Sequence, residues 1–243
     1  RPSEDDRVRC AGRAAASVVH GIVPALQSSM PFLRRRSCPL LCSSSAWVQK
    51  MCHAVPDAPV VKRVDTILKY CEKKTVLNLG CASGPLHRQI QKVATVVYGI
   101  DKDTCGHKGC KQYDFDRIPG DPLPSFPYFD VTFDLLVAGE ILEHLSNPGY
   151  FLDRLHQYHA PLLITVPNAF SSSAQRALAE GVEEVNRTHV AFYSWHTLKT
   201  LLSMHGFVIT TFSYYNGRPR VAEGLVVMTE ERDGAVAAGK VSI

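Results

Sequence analysis

The chain has 243 residues, a formal net charge of +4 and a hydrophobic content of 45%. This length accommodates one α/β domain of ordinary size and a tail, and no apolar run reaches the ~18 residues that a membrane helix needs. Residues 1–50 carry a net charge of +5, which leaves −1 for the remainder. We therefore predict no membrane span and find no strong signal for nucleic-acid binding, which requires a basic face.

The first 54 residues differ in composition from the rest of the chain. They are rich in Arg, Ser and Ala without clean periodicity, and residues 30–51 contain no acidic side chain. Three interpretations stay open: a disordered tail, an upstream segment that is not part of the mature protein, and an organelle leader. We predict a tail or leader over 1–54, a folded domain over 55–230 and a C-terminal tail over 231–243.

Eight cysteines are spread along a chain that has enough apolar residues to form its own core. We therefore expect reduced thiols and a cytoplasmic protein, with an organelle as the alternative if the N-terminal segment is a leader. Cys105, His107 and Cys110 lie close together, but a structural zinc site needs four ligands. We interpret them as loop residues and predict no metal site.

The chain then follows a strand–helix–strand pattern. Apolar residues at helical spacing predict an amphipathic helix over 60–71. An apolar run at 76–79 predicts a buried parallel strand, and Gly80, Ala82 and Gly84 follow it at alternate positions. Such a turn lets a ligand approach the backbone, and the helix after it directs free N–H groups at that ligand. This stretch is predicted to bind a nucleotide-like cofactor.

The second strand, over 95–100, ends at Asp101, seventeen residues after Gly84. A strand–helix–strand unit of this size predicts a right-handed crossover in a parallel sheet. A carboxylate at this strand end is suited to accept hydrogen bonds from both hydroxyls of a ribose. The alternative is a solvated aspartate that begins a turn.

The later elements continue this alternation, with a long connection before the last helix. Loops of such length are often lids or substrate-binding insertions, and Ser194 is a plausible N-cap after this one. The predicted elements are a third strand and its exit at 112–116, a fourth strand at 133–138, a helix at 150–158, a fifth strand at 161–166, the long connection at 169–192 with a helix at 174–185, and two closing strands at 207–212 and 225–229.

Two motifs resemble one family. The small-residue spacing differs from the G-x-G-x-x-G of dinucleotide folds and resembles the first motif of class I S-adenosylmethionine-dependent methyltransferases, with Asn78 at the usual acidic position and Ala82 at the middle glycine. The stretch from Glu140 to His144 is similar to the small-molecule (type 11-like) subgroup. The resemblance covers about residues 60–229. It implies a Rossmann-like, doubly wound α/β fold whose seven-stranded sheet is mostly parallel with a C-terminal antiparallel hairpin.

The resemblance also implies S-adenosyl-L-methionine as cofactor and a set of contacts to it. Asp114 and Phe115 are expected near the adenine, and Asp101 at the ribose. The complete set of expected cofactor-binding residues is Asn78, Gly80, Cys81, Ala82, Gly84, Asp101, Lys102, Asp114, Phe115 and Glu140.

Methyl transfer from a sulfonium is an in-line displacement, so the protein must hold the acceptor atom about 3–3.5 Å from the methyl group and remove its proton where it has one. No metal is required for this. His144 and His189 are candidate general bases because neutral imidazole titrates near working pH; a structural role is the alternative for each. Phe170, Phe192 and Tyr193 are candidate walls of an acceptor pocket.

We predict a methyltransferase that acts on oxygen, nitrogen or carbon of a small molecule, because the sequence lacks the signatures of enzymes that methylate amide or exocyclic nitrogens or cytosine C5. The alternatives are a protein or RNA acceptor, a non-catalytic adaptor with the same fold, and a nicotinamide oxidoreductase. The glycine spacing argues against the last of these. The oligomeric state is left open by the sequence.

Overall fold

The computed structural model describes residues 54–81, 84–103, 106, 109–116 and 131–232. Ala82, the Cys105 and His107 loop, and nearly all of the predicted N- and C-terminal tails lie outside these ranges, so the predicted division of the chain stays a prediction. The elements in chain order are β1 (Val60–Val61), α1 (Arg63–Cys71), β2 (Thr75–Leu79), α2 (Pro85–Ile90), β3 (Val96–Asp101), β4 (Cys110–Gln112), β5 (Leu135–Gly139), a 3₁₀ turn (Leu142–His144), α3 (Pro148–Leu155), a second 3₁₀ turn (His156–Tyr158), β6 (Leu162–Pro167), α4 (Ser172–Ala179), α5 (Trp195–Met204), β7 (Phe207–Tyr215) and β8 (Gly224–Glu231).

The strands of the described residues form one sheet of eight, in the order β1-β7-β8-β6-β5-β2-β3-β4. The strands from β2 to β6 pair in parallel, and β8 runs antiparallel to both β6 and β7. This confirms the Rossmann-like α/β fold with a C-terminal antiparallel hairpin. The strand order reverses between β2 and β5, and ligands of such sheets bind at the carboxyl ends of the strands beside this reversal.

The additional strand, relative to the seven expected, is β1. Val60 and Val61 were assigned to the first helix, but they pair in parallel with β7 and the helix begins only at Arg63. The N–H groups of Tyr214 and Asn216 donate to carbonyls of this segment at 2.9 and 3.1 Å. The two valines therefore cover an edge of β7 that would otherwise expose unpaired backbone groups.

Helices cover both faces of the sheet, which explains the nearly continuous apolar strands. On one face, α3 and α5 pack on side chains such as Leu77 and Leu136. On the other face, α1 and α2 pack on Val76 and Val137. The four strand residues are fully buried.

The segment between β6 and β7 contains two helices. Helix α4 ends at Ala179, well before the predicted end at 185. Ser194 is the N-cap of α5, as predicted, and forms a reciprocal capping box with Thr197. Within the described part of the chain, no helix has the length and apolar character needed to cross a membrane.

Candidate active site

The turn after β2 is shaped by Gly80, which has a φ of +69°. Its N–H donates to the Ile100 carbonyl at 2.8 Å, so the turn is tied to the end of β3. A Cβ on Gly80 would lie 2.9 Å from Cδ1 of Ile141. The backbone angle therefore favours glycine here, and the end of the Ile141 side chain would have to shift for any larger residue.

The other predicted residues of this turn have different surroundings. Asn78 is 2% exposed, and its side-chain nitrogen lies 3.3 Å from Nδ1 of His87 in α2. The Cys81 sulfur lies 3.1 Å from the Cys110 sulfur, toward β4. Gly84 caps α2 with a φ of +84°. We therefore expect Cys81 to meet a cofactor only through its backbone, while Ala82 lies outside the described residues.

The cysteines near this turn correct one expectation. Cys71 and Cys81 are reduced, but Cys110 belongs to a disulfide. Cys110 begins the edge strand β4 and is partly exposed, whereas the other two cysteines are buried. The expectation of reduced thiols throughout is wrong for Cys110, and the cytoplasmic location that rested on it stays a prediction.

A cavity of about 350 Å³ opens at the carboxyl ends of β2, β3 and β5. Its walls bring together six of the residues predicted to contact the cofactor, together with the predicted catalytic residue His144. The six are Gly80, Asp101, Lys102, Asp114, Phe115 and Glu140.

The cavity is rich in carboxylates that are ordered by local hydrogen bonds. Asp101 is 7% exposed at the end of β3 and accepts the Asp103 N–H at 2.9 Å. Asp114 accepts the Asp116 N–H at 3.0 Å, and Asp116 in turn accepts from Ser146. Acceptors of this kind suit a ligand that carries two ribose hydroxyls, amines and a positive sulfonium. The residues present therefore fit S-adenosylmethionine.

Glu140 lies at the end of β5 in the left-handed backbone region, with a φ of +57°. The Tyr215 hydroxyl donates to its carboxylate, and Arg63 approaches the same oxygen at 3.6 Å. Burial, and then the charge of Glu140, raise the pKa of Tyr215 well above its ordinary value. These partners hold the Glu140 carboxylate at the edge of the cavity.

The two predicted catalytic histidines are brought together, although 45 positions separate them. The segment that contains His189 is docked on the 3₁₀ turn because the N–H groups of Val190 and Ala191 donate to the Glu143 carbonyl at 2.8 and 3.3 Å. The rings of His144 and His189 meet edge to face, with centroids 4.6 Å apart. Donor atoms of Glu143, His144 and His189 all lie within 4.8 Å of one another.

Glu143 is 1% exposed, and neither carboxylate oxygen has a hydrogen-bond partner among the described residues. Burial raises the pKa of Glu143 to about 7, and the charge of Glu140 adds to this rise. Burial and the neighbouring His144 lower the pKa of His189, against the influence of Glu140. The three side chains thus form a partly desolvated cluster with an unsatisfied carboxylate.

A second cavity of about 170 Å³ lies between the end of β6 and the segment before α5. Glu143 and His189 line it, whereas His144 and Thr188 line the first cavity. Of the three aromatic residues predicted for an acceptor pocket, Phe192 lines this cavity and Phe170 does not. The third, Tyr193, is buried in the core and donates to the Leu142 carbonyl at 3.3 Å.

Sequence reasoning did not single out Glu143, Thr188, Arg63 or Tyr215. A usable signal existed for Glu143, because a glutamate directly before a histidine in the turn that follows a strand offers two adjacent ligand groups. The other three residues carry no such signal, since their positions depend on how distant segments fold onto the sheet.

The fold and the site together define a Rossmann-like enzyme domain that binds a nucleoside-containing cofactor at its topological switch point. The sequence profile described as "Methyltransferase domain" matches residues 53–211, which is more than half of the chain. The chain therefore belongs to the methyltransferase-domain family and is a class I S-adenosylmethionine-dependent methyltransferase, with S-adenosyl-L-methionine as its cofactor. A search of curated protein sequences gives no match.

Solved structures share the fold at low sequence identity. The small RNA methyltransferase HEN1 is 16% identical with a TM-score of 0.53, covering 74% of this chain and 27% of that one. A SAM dependent methyltransferase from Archaeoglobus fulgidus is 14% identical with a TM-score of 0.51, covering 70% and 91%. Magnesium protoporphyrin IX methyltransferase from Synechocystis with bound SAH is 14% identical with a TM-score of 0.50, covering 70% and 82%.

Proposed function

We propose that this methyltransferase acts on a small-molecule acceptor, which it holds in the second cavity against the cluster of Glu143, His144 and His189. The observation that carries the proposal is the position of this cluster. His144 faces the cavity that fits the cofactor, and His189 and Glu143 face the adjoining cavity of about 170 Å³. A cavity of this volume fits the reactive end of a small metabolite, and the near-neutral charge beyond residue 50 favours an uncharged or modestly charged molecule.

Bound in the first cavity, S-adenosylmethionine supplies a methyl group on a sulfonium. The chain's own residues do the binding and positioning. We assign Asp101 to the ribose hydroxyls and Asp114 with Phe115 to the adenine, because all three line this cavity. Glu140, held by Tyr215 and Arg63, presents a negative charge toward the positive cofactor.

At the acceptor, His144 and His189 are the groups able to take or hold a proton. His144 Nδ1 lies 2.9 Å from the Thr188 hydroxyl, which fixes the orientation of the ring. His189 reaches the second cavity directly, so we assign it the contact with the acceptor and His144 the supporting position.

Calorimetry on the full chain tests the cofactor part of this proposal. S-adenosylmethionine should bind saturably and NAD should not. Asp101→Asn should weaken the affinity at least roughly tenfold, about 1.4 kcal/mol, because the amide accepts from one hydroxyl less well and places a donor against the other. The matched control is Asp65→Asn on the exposed face of α1, which should leave the affinity unchanged.

If the folded chain binds neither molecule, the enzyme proposal fails and a non-catalytic adaptor with this fold takes its place. If S-adenosylmethionine binds, a screen of small hydroxyl, amine and activated-methylene compounds for methyl uptake tests the acceptor class. Methylation of RNA or protein substrates, with none of small compounds, would contradict the small-molecule assignment.

A further inference from the structure

The Glu143 carboxylate is the least satisfied polar group in the described site. It is buried to 99% and has no hydrogen-bond partner among the described residues. The Arg63 guanidinium instead donates to the Thr165 hydroxyl at 3.0 Å and forms an ion pair with Glu140. An isolated buried carboxylate costs several kcal/mol unless a cation or hydrogen-bond donors compensate it. The imidazole rings of His144 and His189 lie beside it, with ligand atoms within 4.8 Å of the carboxylate.

The hydrogen bonds around His144 fix which ring nitrogen is available. We assign the Thr188 hydroxyl hydrogen to Asn186 Oδ1, which lies 3.1 Å away and can only accept, so that the hydroxyl oxygen accepts from Nδ1 of His144 at 2.9 Å. The Thr188 carbonyl, 3.3 Å from the same nitrogen, is also an acceptor. Nδ1 therefore carries the hydrogen and Nε2 carries the lone pair. Metal-binding histidines are commonly oriented by a hydrogen bond of this kind through their other nitrogen.

We propose that Glu143, His144 and His189 bind a divalent first-row metal ion, such as Mn²⁺, Co²⁺ or Zn²⁺, whose remaining coordination positions take a hydroxyl oxygen of the acceptor. The proposal rests on the proposed function and narrows its acceptor from oxygen, nitrogen or carbon to a hydroxyl group. It also gives the two histidines the role of ligands in place of general bases.

The geometry is compatible with such an ion. Bonds of about 2.0–2.2 Å place two ligands at most about 4.4 Å apart, and the donor atoms here lie within 4.8 Å of one another before any ion draws them together. One carboxylate and two imidazoles leave coordination positions open on a four- to six-coordinate ion. Because the ligands line both cavities, an ion among them borders the cofactor and the acceptor at once.

A metal ion at this position supplies the chemistry that hydroxyl methylation needs. Coordination lowers the pKa of a bound hydroxyl, as it does for bound water. In the transfer step the O–H bond breaks and its proton passes to water. The oxygen forms the new C–O bond, and the electron pair of the broken S–C bond remains on sulfur. The atoms and charges balance without any further reactant.

The test is a titration of the full, tag-free chain with Co²⁺ after removal of metals by chelator, followed by calorimetry and by the visible absorption of bound cobalt. We expect one saturable site per chain with the spectrum of mixed nitrogen and oxygen ligation. Glu143→Gln and His189→Ala should each weaken binding at least roughly tenfold. Thr188→Val, which removes one acceptor of the His144 hydrogen bond, should weaken it by a smaller factor.

Glu183→Gln and His196→Ala are the matched controls. They make the same chemical changes at two exposed residues that do not belong to the cluster. Circular dichroism and S-adenosylmethionine binding without metal establish that each variant is folded. Absence of Co²⁺ binding in a chain that still binds S-adenosylmethionine would overturn the metal site and leave the methyltransferase proposal intact. Equal Co²⁺ binding by all variants would also overturn it. If the folded parent chain binds neither Co²⁺ nor S-adenosylmethionine, the proposed function itself is contradicted.

Discussion

Gly80 is the residue whose replacement tests the cofactor turn most directly. We expect Gly80→Ala to lower the free energy of unfolding by about 1–3 kcal/mol, because alanine is disfavoured at a φ of +69° and its Cβ would press on Ile141 Cδ1 at 2.9 Å. Urea unfolding measures the loss, and calorimetry with S-adenosylmethionine measures the accompanying loss of affinity.

A double variant separates the two causes of this loss. Ile141→Val removes Cδ1 and by itself costs about 0.5–1.5 kcal/mol. Combined with Gly80→Ala it should cost less than the sum of the single changes, because the contact is relieved while the backbone strain remains. Gly106→Ala, where a Cβ meets nothing within 4 Å, is the matched control and should be neutral within about 0.5 kcal/mol. An unchanged stability of Gly80→Ala would contradict this account of the turn.

At the same scale, residues at or directly after the end of a strand were predictable from the sequence. Gly80 follows β2 and Asp101 is the last residue of β3, and the parallel pairing of these strands carries both to one edge of the sheet. Asn78 was not predictable in detail, because its hydrogen bond to His87 depends on how α2 packs on β2. The pattern predicts where a strand ends but not which side chain faces a buried polar partner.

Among the elements, helix α5 owes its start to a reciprocal cap. The Ser194 hydroxyl accepts the Thr197 N–H at 3.3 Å, and the Thr197 hydroxyl accepts the Ser194 N–H at 2.9 Å. We expect Ser194→Ala to lower the free energy of unfolding by about 1 kcal/mol, because the Thr197 N–H loses its side-chain acceptor while only the bond from the Ser194 N–H to the Thr197 hydroxyl remains. Chemical denaturation monitored by circular dichroism checks this value.

The control for the cap is Thr200→Ala, on the exposed surface of the same helix. Alanine has the higher helix propensity, so this change should be neutral or slightly stabilising. A loss of equal size in both variants would show that the cap contributes nothing specific.

The boundaries of the elements show what sequence periodicity lacks. The valines at 60–61 fit the apolar face of a helix as well as a strand. They form a strand because they pair with the edge of β7, and this pairing has no local signal in the sequence. The segment between α4 and α5 has no periodicity at all, yet backbone hydrogen bonds to the Glu143 carbonyl hold it beside the site. A bond between residues nearly 50 positions apart leaves no local trace in the sequence.

For the molecule as a whole, the alternation of strands and helices predicted right-handed crossovers in a parallel sheet, and the resemblance to class I methyltransferases supplied the C-terminal antiparallel hairpin. The same topology predicts that a ligand binds at the reversal between β2 and β5. The grouping of Glu143 with His189 is seen only in the three-dimensional structure, because it depends on how the long connection between β6 and α5 folds back beside the 3₁₀ turn. Six residues predicted to contact the cofactor thus line one cavity, and their contact with it stays a prediction, whereas the grouping of Glu143 with His189 was not predicted.

Cofactor binding should stabilise the whole domain, since S-adenosylmethionine binds the folded chain and not the unfolded one. At a concentration of 100 times Kd the gain is about 2.7 kcal/mol, and a domain of this size shifts its Tm by roughly 2–4 °C per kcal/mol. We therefore expect a rise in Tm of about 5–11 °C, measured by differential scanning calorimetry at that concentration.

The same measurement on Asp101→Asn separates specific binding from a general solvent effect. A tenfold weaker affinity reduces the gain at the same concentration to about 1.4 kcal/mol, so the rise in Tm should fall to about half. NAD at equal concentration should produce no rise, because the Gly80 turn lacks the dinucleotide spacing. An equal rise in the variant and the parent would mean that the cofactor stabilises the domain without the Asp101 carboxylate, and would remove this residue from the site.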